Sequence, residues 1–263
     1  MAGKLKHRGE EISNERVAIE DELYRTYVVD EISIARLSAE IRKMLSSGNY
    51  SELVAAGLNV EMAYLHAYKR DVIKAAACLR SAERFGAERF MTALVESSVN
   101  LMAGNVFEAA KALERIDVSK LTDVQKGPLV AQANAVGALD LALQLLPDDF
   151  ESDVDEAVEM LSACGATVAD LIVRLDAAAG FIAREASHPL LGYRRVVMKT
   201  EDCLMYRFGL RMPPVDIAEL NGRVISFMVE RFDEPLDRVV SIGAMPFKPE
   251  YRDENWRTYN ASF

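Results

Sequence analysis

Along the first two thirds of the chain, apolar residues recur at intervals of three and four, the spacing that places them on one side of an α-helix. Leu23, Tyr27, Ile34, Leu37, Ile41 and Leu45 form one such row, broken at Ser46-Ser47-Gly48-Asn49. A second pattern runs from about Asn59 to Tyr68, and others follow at short intervals as far as Arg184. Ala and Leu are abundant there and Gly is sparse, which favours helix. Short breaks between many helices predict antiparallel hairpins stacked side by side. Residues 1–14 are polar and lack this period, so they read as a loose tail ahead of a helical region at 15–184.

Beyond Arg184 the period changes. Ser187-His-Pro-Leu-Leu-Gly192 carries Pro and Gly, and residues 185–192 read as a linker. Tyr193 to Thr200 then predicts a strand, Glu201-Asp202 a tight turn, and Cys203 to Met212 a second strand. In that second strand Leu204, Tyr206, Phe208 and Leu210 alternate with Met205, Arg207, Gly209 and Arg211. Pro213-Pro214 opens a helix whose Ile217, Leu220, Val224, Phe227 and Met228 share a face, and Arg238 to Met245 predicts a third strand. The last residues, Pro246 to Phe263, are rich in Pro and aromatics and hold the only Trp, Trp256. The expected fold is therefore mainly α: a helical-hairpin array over 15–184, then a small α+β unit of order β-β-α-β over 193–263.

An internal repeat sharpens the helical part. Arg70-Asp-Val-Ile-Lys-Ala-Ala-Ala-Cys-Leu-Arg-Ser-Ala82 aligns with Gly104-Asn-Val-Phe-Glu-Ala-Ala-Lys-Ala-Leu-Glu-Arg-Ile116, 34 residues on. Val72 and Val106, Ala75 and Ala109, and Leu79 and Leu113 fall in register. A weaker third copy starts 33 residues later at Gly137, where Ala142 and Leu146 take the small and large apolar places. A 34-residue period with a turn followed by an Ala-containing helix resembles the tetratricopeptide repeat, over about residues 57–147. The resemblance departs from the family at Glu96, at Arg70 in place of a turn Gly, and at Gly127-Pro128. It implies a concave groove lined by the first helix of each hairpin. Carried onto this chain, the groove positions are Tyr64 and Tyr68, then Ser98 and Met102, then Asn134. In some members of the family Lys and Asn grip a carboxylate at two of these places, where this chain has Val60 and Tyr64. Tyr and Met suit a protein partner, while packing against the N-terminal helical row is the alternative for Tyr64 and Tyr68.

The chain has 263 residues, half of them hydrophobic, and a formal charge of −10. That balance belongs to a folded globular protein and argues against nucleic acid as the default partner. The charge is concentrated: residues 140–176 hold ten acids and only Arg174. These acids read either as a site for a basic partner or cation, or as the first turn of a helix opened by Pro147, where acids are favoured. No stretch of about 18 apolar residues suggests a membrane span, and the polar N-terminus does not read as a secretory signal. Three well-separated cysteines, Cys78, Cys164 and Cys203, fit reduced thiols and a cytoplasmic setting.

Candidate chemistry is sparse. His7, His66 and His188 lie far apart, and no zinc or di-iron spacing joins them, so no metal or other cofactor is expected. His188 reads as a helix-end residue whose positive form meets the dipole. No glycine-rich phosphate cradle and no nucleophile elbow occurs. Cys78 reads as a packed thiol. A hydrolase using paired carboxylates would leave no local signature and stays open. The Arg-bearing face of the second strand, with Arg207 and Arg211, could hold an anion or pair with acids of its own unit. The expectation is a non-catalytic adaptor, chaperone or assembly component binding a protein in the helical groove, with Trp256 as a second contact and self-association possible. A sensor of an anionic ligand or nucleic acid, using Arg207 and Arg211, is the alternative.

Overall fold

The computed structural model describes residues 2–48, 50–147, 152–198, 202–232, 236 and 239–247. These form eleven α-helices and three strands. The helices are α1 Ala2–Thr26, α2 Glu31–Ser47, α3 Glu52–Ala67, α4 Val72–Arg84, α5 Arg89–Met102, α6 Val106–Leu113, α7 Asp123–Ala135, α8 Leu139–Leu145, α9 Asp153–Ala163, α10 Val168–Glu185 and α11 Pro214–Arg231. The strands are β1 Tyr193–Met198, β2 Cys203–Leu210 and β3 Val240–Pro246. The fold is mainly α, with a packed array of helical hairpins followed by a small β-β-α-β unit. None of the described helices is long and apolar enough to cross a membrane.

Local chemistry sets many of the boundaries. Asp30 accepts hydrogen bonds from the Ile32 and Ser33 N–H groups and starts α2, which Gly48 ends with φ of 65°. Tyr27, at φ 56°, breaks the predicted row between Leu23 and Ile34 into two helices. Thr167 and Asp170 cap α10 reciprocally. The acids Asp153, Asp155 and Glu156 fall in the first turn of α9, behind Ser152 as its cap. Residues 148–151 of the acidic stretch lie outside the described residues.

The 34-residue period appears as geometry. Helices α4, α6 and α8 start at Val72, Val106 and Leu139, and the turn residue two positions earlier is left-handed each time: Arg70 at φ 57°, Gly104 at 84° and Gly137 at 74°. Helix α10 lies against all three turns. A Cβ on Gly104 would stand 2.7 Å from Ala183 Cβ and 2.8 Å from Ala179 O, and one on Gly137 would stand 2.5 Å from Leu175 Cδ1. At the first turn Arg70 Nη1 donates to Ala183 O at 2.6 Å and to Ala186 O at 3.1 Å, capping the end of α10. Gly therefore sits where the helix approaches most closely, and Arg sits where its side chain can reach past the helix end.

The sheet runs in the order β1-β2-β3, β1 antiparallel to β2 and β3 parallel to it, with α11 as the crossover. Asn221 of α11 joins the β3 edge: its amide donates to Ala244 O at 3.0 Å, and Ala244 N–H donates to its Oδ1 at 2.7 Å. Leu204, Tyr206 and Phe208 are buried in the same apolar cluster as Leu129, Leu171 and Ile182 of the helices.

Two expectations about the chain's segments are corrected. Of the stretch read as a loose tail, 1–14, residues 2–14 are part of α1, and Ile12 is fully buried. Arg16 concealed the pattern, because Ile12, Arg16, Ile19 and Leu23 share one buried side of the helix and one of the four is charged. The residues read as a linker, 185–192, are packed. His188, Leu190 and Leu191 are buried, and Leu190 N–H donates to Met102 O at 2.8 Å. The ring of His188 bonds Pro189 O through Nδ1 at 2.7 Å and accepts the Arg211 N–H on Nε2 at 3.1 Å, which requires the neutral Nδ1–H form. Burial lowers its pKa, so His188 is not the positive helix-end group expected.

Gly104→Ala should cost about 2–4 kcal/mol, from the left-handed backbone plus overlap with α10. Gly86→Ala, at φ 87° with nothing within 4 Å of the added Cβ, should cost only about 1 kcal/mol. Urea unfolding of the two variants measures the difference.

Candidate functional site: the concave face and what fills it

Helix α3 carries a nearly continuous apolar run that includes Asn59, Glu61 and Tyr64, with Tyr68 capping its end. All four polar residues are buried, so each needs a partner inside the protein. Asn59 bonds its own helix, Nδ2 to Ala55 O at 2.8 Å. The other three are met by α1. Arg16 Nε donates to Glu61 at 2.7 Å, and its Nη1 donates to Glu20 at 2.5 Å and to Tyr68 Oη at 3.2 Å. Ser13 donates to the second oxygen of Glu61 at 2.8 Å. The guanidinium lies over the Tyr64 ring, 4.7 Å from its centre. At the periphery Arg8 pairs with Glu40, and Arg36 reaches Glu15 at 3.4 Å, fastening α1 to α2.

Inside this cluster one guanidinium faces two carboxylates. Burial works against the Arg16 charge, but Tyr68, Glu61 and Glu20 hold its pKa above the ordinary range. Burial pushes Glu20 up to about 7, with Arg16 opposing the shift and Glu61 adding to it. Burial also keeps the phenols of Tyr64 and Tyr68 protonated. Below about pH 7 Glu20 therefore holds a proton, while Arg16 stays charged beside Glu61.

The other groove positions are also covered. Ser98 is buried, donating to Leu94 O at 3.2 Å and lying 3.4 Å from Gln132 Oε1. Met102 is buried and its carbonyl is taken by Leu190. Asn134 is half-buried on α7, and Tyr193 Oη lies 3.4 Å from Ala131 O of the same helix, which brings the sheet unit against this end. Tyr64, Tyr68, Ser98 and Met102 are therefore not a free surface: α1 covers Tyr64 and Tyr68, Gln132 of α7 meets Ser98, and the segment before β1 reaches Met102. Trp256 lies outside the described residues.

The structure does not bring Arg207 and Arg211 together on a ligand. Arg207 donates to Ser241 O at 2.7 Å and Ser241 Oγ at 2.8 Å, and burial lowers its pKa. Arg211 Nη1 donates to Thr26 O at 2.7 Å, at the end of α1. Both guanidiniums serve as clamps on backbone carbonyls. Cys78 is half-buried and burial pushes its thiol up, as a packed thiol requires. Glu96, out of place for a tetratricopeptide helix, pairs with Arg115 of the following turn.

Arg16, Glu20 and Glu61 escaped the sequence reading. Their signal is a lone charge within each of two apolar rows, Arg16 between Ile12 and Ile19 and Glu61 between Val60 and Met62. Compared with protein-family models, curated proteins and solved structures, the chain matches none.

The raised Glu20 pKa has a definite sign. Between about 4.5 and about 7 the folded state holds a proton that the unfolded chain releases, so this group's contribution to stability falls as pH rises through that window. Glu20→Gln removes the dependence. Its thermal midpoint relative to the unsubstituted chain should climb between pH 5 and pH 8, as read by circular dichroism at each pH.

Proposed function

We propose that this chain is a non-catalytic protein-interaction component of the tetratricopeptide kind, whose concave groove accepts a helix. One observation supports this most directly: α3 already receives a helix, α1, through the Arg16–Glu61 pair and the Tyr64 and Tyr68 rings. A partner helix offering an Arg or Lys to Glu61, between apolar residues three or four positions away, would meet the same surface. Groove residues then act in two states, closed by α1 or open to a partner. The adaptor or assembly role and the cytoplasmic setting belong to this proposal.

Buried ion networks make α1 the adjustable part. Removing one member of such a pair leaves an uncompensated charge and costs about 3–5 kcal/mol. Arg16→Ala should loosen α1, make the bonds near its start the first cut in limited proteolysis, and increase capture of protein partners from the native lysate. Unchanged proteolysis, or α1 release with no added capture, would count against the groove.

A further inference from the structure

Among the described residues, helix α11 shows solvent an apolar row. Its inner side buries Ile217, Leu220, Val224 and Met228. Its outer side exposes Val215 at 64 %, Ile225 at 60 % and Val229 at 63 %, with Ala218 and Gly222 between them. The spacing 215, 218, 222, 225, 229 alternates three and four, the seam of a pair of helices packed at a shallow angle. Gly222 stands in the middle, seven residues from each Val, and an added Cβ there would touch nothing within 4 Å. The row thus has a Val at each end and its smallest residue at the midpoint, with Ala218 on one side of it and Ile225 on the other.

We infer that α11 is the contact surface for a second copy of this chain, with two α11 helices crossing antiparallel about a twofold axis at Gly222. Two observations single out this occupant. The first is the symmetry of the row: about that axis Val215 of one copy meets Val229 of the other, and the two Gly222 backbones approach closely. The second is charge. Glu219 lies three residues before the axis and Arg223 one residue after, on the same flank, so an antiparallel pair sets each Arg223 within a turn of the other copy's Glu219. In the single chain Arg223 holds Glu185, at 2.9 Å on open surface. Beside the row a cleft of about 600 Å³, lined by Phe181, Phe227, Glu219, Arg223 and Glu230, offers the second copy a recess flanking the axis.

One helix row covers less than the ~800 Å² per partner of a standard interface, which puts the contact in the class of weak, reversible ones. This surface lies apart from α1 and α3, and its inference does not depend on the groove reading. Sedimentation equilibrium of the full chain from about 1 to 200 µM tests it. The mass should rise from 29.2 kDa toward twice that value. Ile225→Glu with Val229→Glu should hold the chain monomeric throughout with the thermal midpoint unchanged, since both side chains are mostly exposed. Arg223→Glu should weaken association at least tenfold, and adding Glu219→Arg should restore it. A chain that stays monomeric throughout, or a dimer that survives the Ile225 and Val229 changes, overturns the inference. Failure of the charge exchange to restore association overturns the antiparallel register.

Discussion

Helix α3 has almost no solvent side, and it carries a carboxylate and two phenols into the interior with it. That constraint organises the N-terminal half. Glu61 cannot stay charged in an apolar setting alone, so a cation must be delivered to it, and Arg16 arrives on α1. Burying Arg16 in turn requires the rest of α1 to lie along α3, with Ile12, Ile19 and Leu23 packed and Tyr68 completing the hydrogen bonding. The pair does not make the protein stable by its own attraction, because desolvation offsets most of that. It makes α1 dock in one place and register.

A second constraint holds the C-terminal half to the array. Helix α10 crosses the turns that open α4, α6 and α8, so the turns must present a flat, left-handed backbone, supplied by Gly104 and Gly137. At the first turn Arg70 accepts the backbone strain and returns two hydrogen bonds to the end of α10. The sheet unit continues from there without a seam, and Arg211 bonds back to the last carbonyl of α1. The sheet unit is thereby tied to the end of α1 as well as to α10.

Function, on the proposed reading, follows from which of these contacts is least secure. The α10 contacts are close backbone packing, which has no partly released state. The α1 contacts include an extra carboxylate whose proton is held only up to about pH 7. A closed groove with a titrating latch and an exposed row on α11 are separate features, one internal and one facing outward.

The sequence alone was enough for the mainly helical class, the 34-residue period, the order of the three strands along the chain and the apolar side of the second. These depend on local periodicity and turn chemistry, which are written residue by residue. It also marked Tyr64, Tyr68, Ser98 and Met102 as one lining, but could not say what would lie against them. That was decided by α1, whose docking hinges on a contact between residues 16 and 61, and by the 185–192 segment folding back onto Met102. Whether a Tyr faces a partner or the protein's own helix is a matter of long-range packing, and no local pattern encodes it. The contacts of Arg207 and Arg211 were decided the same way. A guanidinium can donate to a backbone carbonyl as well as to an anion, and only the tertiary structure puts Ser241 and Thr26 within reach.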